Sequence, residues 1–347
     1  MAARFPLHRF SQNESSNILL CMQAIDRLSY SLCSQKCKKQ VVNLNLRELK
    51  LSLWFTNEFC VITDFPDDTA LEVKTRDPML NLNASRSFRV KDINLARMLG
   101  REDGRPIFES NSTWNYDLFS GQDWLRHHLD IYHRNSIDGI SFHHIRFDRE
   151  QLIGMLERLS IENLECSANM SQEHNQMIMD LRLPVKHYTI FLDSFNRPEL
   201  LRKILIENLD HVFIQSSDSN RVQVTLDDIL LSNISQLQLN FFRYSGKQLN
   251  RFVKSWIRGA SKRLEVLCIV LLEPINADIV LRGITHTEIT RQDLRAKIET
   301  YGYNREPFEP IRDEGGFNIR GKDGREATVV VARPGARGMP VFQLFVW

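Results

Sequence analysis

Cys33 and Cys37 stand four residues apart in "SLCSQKCKK", interleaved with Lys36, Lys38 and Lys39. Thiols beside cations can bind a metal or act as low-pKa nucleophiles. A metal would need two further ligands, and no nearby CxxC or HxxxH supplies them. The pair therefore reads as small buried hydrophobes at helical spacing. The lysines read as a solvated face, with an acidic partner as the other reading. His128 and His133 in "QDWLRHHLDIYH" are five apart, hence on different helix faces, and read as solvated or capping residues. Cys60, Cys166 and Cys268 lie inside apolar strand patterns and read as structural. No HExxH, GxSxG or Walker A occurs, and no GxGxxG follows a strand. "RPGARG" at Arg333 to Gly338 has turn glycines but no following helix to offer phosphate its amides. The expectation is no catalytic residue, no metal and no cofactor. A hydrolase with an unrecognised site is one rival.

The bulk numbers restrict the class. The 347 residues allow two or three packed units, with 45 basic against 43 acidic residues, net +2. That balance argues against a nucleic-acid partner, which would call for a basic stripe. The apolar run Val266 to Leu272 stops at Glu273, short of the roughly 20 residues that span a bilayer, so no membrane is expected. "MAARFPLHRF" lacks a signal core, which points to cytoplasm or nucleus. The six cysteines then read as reduced thiols, and the sequon at Asn111 as chance.

Elements must position whatever binds. Ile18, Leu19 and Met22, then Ile25, Leu28 and Leu32, fall on helical steps of three and four. Asp26 is expected to cap a second helix and Ser34 a third. Three short helices make too small a core to stand alone and lean on a neighbour or partner. From Val41 to Thr75 the alternation reads as strands, with a turn at Pro66 to Asp68. Residues 82–92 and 99–115 read as loop-rich, and residues 122–133 as a helix.

The clearest pattern is a repeat. Apolar triplets start at Ile137, Ile161, Val185, Leu209, Ile234 and Leu264, at steps of 24, 24, 24, 25 and 30. Each has the LxxLxL spacing, and the second is followed by Asn169. Helical stretches separate them. This is the signature of a leucine-rich repeat, with parallel strands and helices on the outer face. The other reading is a doubly wound α/β domain. Residues between the apolar positions then face one side. One row is Glu165, Thr189, Phe213 and Gln238. The next is Ser167, Phe191, Gln215 and Asn240, with His187 and His211 beside them. Phe191 and Phe213 are either target-binding anchors or core beneath a folded-back "VFQLFVW".

"FPLHRFSQNESSNILLCMQAIDRLSYSLCSQKCKKQV" resembles an F-box of the large nematode F-box family. "VTLDDILLSNISQLQL" and "LNRFVKSWIRGASKRLEVLCIVL" resemble that family's type-two F-box-associated domain, through Leu226, Asp227, Leu230, Asn233, Leu249, Asn250, Phe252, Lys254, Trp256, Gly259, Leu264 and Leu267. "GGFNIRGKDGREATVVV" with "VFQLFVW" resembles its closing hairpin. The resemblance implies docking of Phe5, Leu7, Phe10, Ile18, Leu19, Met22, Ile25, Leu28 and Leu32 onto a Skp-type adaptor, and through it a cullin-RING ubiquitin ligase. It implies a non-catalytic receptor for an unknown target protein. Phe10-Ser11 stands where the family has Leu-Pro, and Ala24 where it has proline. A scaffold with a decayed F-box is therefore the second rival. The expected fold is α/β: a helical F-box at 5–44, a strand-rich link with one helix at 45–135, and a leucine-rich-repeat-like solenoid with a C-terminal β-hairpin at 136–347.

Overall fold

Leu51, Leu53 and Phe55 alternate along one strand, and all three are fully buried in the computed structural model. It describes residues 10–48, 50–56, 59–65, 70–76, 92–102, 105–115, 121–143, 147–157, 159–167, 170–192, 198–216, 223–301, 315–332 and 339–347. Phe5, Leu7, the turn at Pro66 to Asp68, Asn169 and the glycine run at Arg333 to Gly338 lie outside those residues. The chain divides into two compact units: Met1–Leu164 with Asp180–Pro184, and Glu165–Met179 with Val185–Trp347.

The first unit opens on α1 (Gln12–Cys21), α2 (Ala24–Leu32) and α3 (Gln35–Val42). Leu19, Leu28 and Val41 form their shared core at 0–1% exposure. Next come β1 (Lys50–Phe55), β2 (Phe59–Asp64), β3 (Ala70–Arg76), β4 (Asp92–Glu102) and β5 (Arg105–Asn115). They form an antiparallel meander. After α4 (Gly121–Ile131), β6 (Ser136–Phe142) adds to β1 in parallel. Then α5 (Arg149–Leu156) leads to β7 (Ser160–Cys166), the neighbour of β6; the last two residues of β7 belong to the second unit.

β4 and β5 correct the loop-rich reading of residues 99–115. Glycines and polar residues break their alternation, and the pairing absorbs two register shifts, at Leu95/Ala96 and Met98/Gly100. Such bulges hide a strand from a period-two search. The Asp103-Gly104 dipeptide between them is a hairpin signal that was available in the sequence.

In the second unit, strands alternate with helices: α6 (Gln172–Asp180, all but its last residue), β8 (Val185–Phe191), α7 (Pro198–Leu205), β9 (His211–Gln215), α8 (Leu226–Leu231), β10 (Gln236–Phe242), α9 (Gly246–Ile257) and β11 (Val266–Leu271). β8, β9, β10 and β11 are adjacent and parallel in that order, as the repeat predicts. The step of 30 before Leu264 reflects α9, which has 12 residues against six in α8. Gly259 ends α9 with φ +103, a left-handed conformation that suits glycine.

α10 (Ala277–Val280), β12 (Thr287–Ile289) and α11 (Arg291–Tyr301) follow, then β13 (Gly316–Arg320), β14 (Glu326–Ala332) and β15 (Val341–Val346). β13 and β14 form the expected hairpin, with Gly324 at φ +89 in its turn. β15 inserts between β11 and β14, antiparallel to both. It therefore lengthens the sheet and does not fold over Phe191 and Phe213, which overturns that reading of "VFQLFVW". The sequence reading passed over α11. Its signal is Thr290, which accepts from Asp293 N at 3.2 Å and donates to Asp293 Oδ2 at 2.7 Å, followed by buried Leu294 and Ile298.

Candidate protein-binding sites

The first site is the outer surface of α1 to α3. Ser11 caps α1 in a box with Glu14: Glu14 N donates to Ser11 Oγ at 3.3 Å, and Ser11 N to Glu14 Oε2 at 2.9 Å. So Ser11 starts the helix with its own side chain. Asp26 does not cap α2. Gln23 takes that place without a side-chain bond, and Asp26 sits in the first turn. The corner before Ala24 is closed by Arg27, whose Nη1 donates to Met22 O at 2.6 Å and Leu20 O at 3.3 Å. Ser34 caps α3 as expected, accepting from Cys37 N at 3.1 Å.

The helices are tied to α4 of the same unit. Lys38 pairs with Asp130 at 2.6 Å, which accounts for one of the lysines. His133 Nε2–H donates to Val42 O at 2.8 Å. Ser31 Oγ gives its single proton to Leu28 O at 2.6 Å, so at its 2.8 Å contact the serine accepts from His127 Nε2–H. Burial pushes His127 down to about 3, helped by neighbouring His128 and Lys38. His128 corrects the expectation of solvated histidines. It is 0% exposed, donates from Nδ1 to Trp124 O at 3.2 Å, and burial lowers it to about 4. Its side of α4 packs inward with Trp124 and Leu125.

Of the residues expected to dock an adaptor, Leu19 and Leu28 are core. Ile18, Met22, Ile25 and Leu32 are half-buried and Phe10 is 39% exposed. Leu20, at 54%, is the apolar residue the sequence reading missed on this surface. The cysteines are corrected too. Cys33 is exposed and Cys37 half-buried, because they sit at the α2–α3 corner and not on a packed face. Partial desolvation still raises the exposed Cys33 thiol, with Cys37 adding to the effect. Among the described residues no group of three or more histidine, cysteine or acidic side chains could hold a metal.

The second site is a sheet face of the second unit. Paired residues of parallel strands share a face. Register places Thr189, Phe213, Gln238 and Cys268 in one row. Phe191, Gln215, Asn240 and Val270 form the next, and His187, His211, Gln236 and Val266 the one before. These rows agree with the sequence reading for β8 to β10. Glu165 is in β7 and Ser167 follows it. Phe191, Phe213, Thr189, Gln215, His187 and His211 are half-buried, so the phenylalanines are not bare, and Gln238 is buried at 4% exposure. The His187 and His211 rings meet edge-on at 5.9 Å between centroids. Burial lowers His211 to about 4, with His187 adding to it. Over β11, β14 and β15 the same face is mostly apolar, with Thr328 and Gln343 buried among its hydrophobic residues. There α11 covers it, packing Leu294 and Ile298 with Val266, Cys268, Val330 and Phe345.

The structural thiols stay protonated: burial raises Cys166, and raises Cys268 to about 11. No helix among the described residues is long and apolar enough to cross a membrane.

Residues 200–269, from α7 into β11, match the F-box associated family. A similar protein is the "F-box associated domain-containing protein sdz-33" of Caenorhabditis elegans. It is 40% identical over 74 residues, which cover 21% of this chain and 22% of the relative. The aligned region thus spans about a fifth of each protein. No solved structure matches the chain. Over residues 200–269 the chain therefore resembles an F-box associated domain.

Proposed function

We propose that the chain is a substrate-recognition subunit of a cullin-RING ubiquitin ligase. In this reading α1 to α3 are an F-box that docks a Skp-type adaptor. The strand–helix units of β8 to β11 are leucine-rich-repeat-like and hold a target protein. The chain does no chemistry itself. Tethering raises the effective concentration of a target lysine near a charged conjugating enzyme.

The match of residues 200–269 to the F-box associated family carries this reading. The N-terminal helices support it, because Phe10, Leu20, Ile18, Met22 and Ile25 keep apolar surface outside the Leu19–Leu28 core. A non-enzymatic scaffold with a decayed F-box is the second reading, kept by Phe10-Ser11 and Ala24.

Co-expression of the full chain with adaptor and cullin separates the two. A stoichiometric complex, lost on Leu20→Glu with Ile25→Ala while melting is unchanged, supports the receptor. A folded full chain that purifies alone supports the scaffold.

A further inference from the structure

Helix α9 carries Lys247, Arg251 and Lys254, and its C-cap is Arg258, at i, i+4, i+7 and i+11. At 100° per residue these four fall on one stripe. The opposite face holds Leu249, Phe252, Val253 and Trp256, all at most 1% exposed. The cations therefore line the outer face of the second unit over about 16 Å. Lys247, Arg251 and Arg258 are exposed and Lys254 half-buried.

Nothing on the helix compensates them. Residues 246–264 contain no aspartate or glutamate. None of the four is paired with a carboxylate among the described residues, in contrast to Arg263, which meets Asp210 at 2.9 Å. Like charges at i, i+4 destabilise a helix. The helix dipole favours cations only near the C-terminus, which explains Lys254 and Arg258. Lys247 in the first turn and Arg251 in the middle gain nothing from it.

A cleft of about 150 Å³ lies beside the stripe, between α8 and α9. Leu226, Leu230 and Phe252 give it apolar walls, and Thr225, Gln248 and Arg251 sit among its polar lining. It is of a size to take one aliphatic side chain.

We propose that the α8–α9 surface binds an acidic segment of another protein. The segment's carboxylates pair with the stripe and one apolar side chain enters the cleft. Two other occupants fit less well. A nucleic acid presents unbroken negative charge, and Asp227 at the cleft would oppose it. A membrane-bound helix inserts its apolar face into lipid, and the apolar face of α9 is already buried in the core. A protein segment can space its carboxylates around Asp227. The site is independent of adaptor docking and does not rest on the reading of α1 to α3.

The test uses the full chain and a set of fluorescein-labelled synthetic peptides. Each carries glutamates at i, i+4, i+7 and i+11, with one leucine or phenylalanine placed at each remaining position in turn. Matched glutamine peptides, phosphatidylserine vesicles and single-stranded RNA are compared. We expect glutamate peptides to bind. Affinity should fall at least about tenfold in the variant Lys247→Gln, Arg251→Gln, Arg258→Gln and in raised salt, where screening shortens. Melting should be unchanged, and the control Lys186→Gln with Lys203→Gln should bind normally. A single Arg251→Glu should weaken binding in the same direction. The proposal is overturned if no peptide binds or if the substitutions leave binding unchanged. It is equally overturned if vesicles or RNA bind more tightly through the same residues.

Discussion

At the residue scale, two titrating groups of the first unit act with opposite sign. His127 is neutral in the fold, lowered by burial to about 3 from an ordinary 6.5. Between those values the unfolded chain binds more protons, so stability is full above pH 6.5 and falls on acidification. Replacing His127 with Gln keeps an amide donor for Ser31 and removes this titration. Urea unfolding should then lose less stability between pH 6.5 and 5 than the native chain does. An unchanged slope would mean that other groups dominate. Glu48 is the converse. Its side chain is 1% exposed beside Arg134 at 3.1 Å, and burial outweighs that partner and raises it to about 7. Its folded form holds a proton that the unfolded chain releases near 4.5, so stability falls as pH rises from 4.5 through 7. Glu48→Gln should flatten that loss and gain relative stability at pH 8. Arg134 keeps Asp138 at 2.9 Å in the variant, so the cation is not stranded.

At the element scale, the proposed docking assigns folding and binding to different residues of α1 to α3. Leu19 is 0% exposed, so Leu19→Ala should cost about 2–5 kcal/mol and perturb α1 to α3. Leu20→Glu should leave folding intact, since Leu20 is 54% exposed. Thermal melting distinguishes the two. What the sequence disclosed also follows element by element. β8 to β11 were legible because each hides one apolar face under a helix, which imposes the LxxLxL spacing. β4 and β5 were not, because their bulges break alternation. α11 was missed because only Leu294 and Ile298 among its residues are buried. The same spacing identified Leu19 correctly as apolar but could not separate core from surface. That distinction depends on where the neighbouring helix lies. Buried His128 was misread for the same reason: its face of α4 is set by packing and not by spacing.

At the scale of the whole molecule, the proposed receptor divides recognition between surfaces of different character. α1 to α3 present apolar residues, and the β8–β10 face presents Phe191 and Phe213 among uncharged polar groups. Phe191→Ser with Phe213→Ser should abolish capture of a target protein by the full chain and leave its melting temperature nearly unchanged. A collapse in thermal stability would instead assign both rings to the core. The central claim is that α1 to α3 dock a Skp-type adaptor while the second unit stays available for a target. Hydrogen exchange of the full chain, with and without the recombinant adaptor, measures both at once. The account predicts added protection across residues 18–32 and none in β8 to β11. Absence of a complex, or protection confined to β8 to β11, would contradict it.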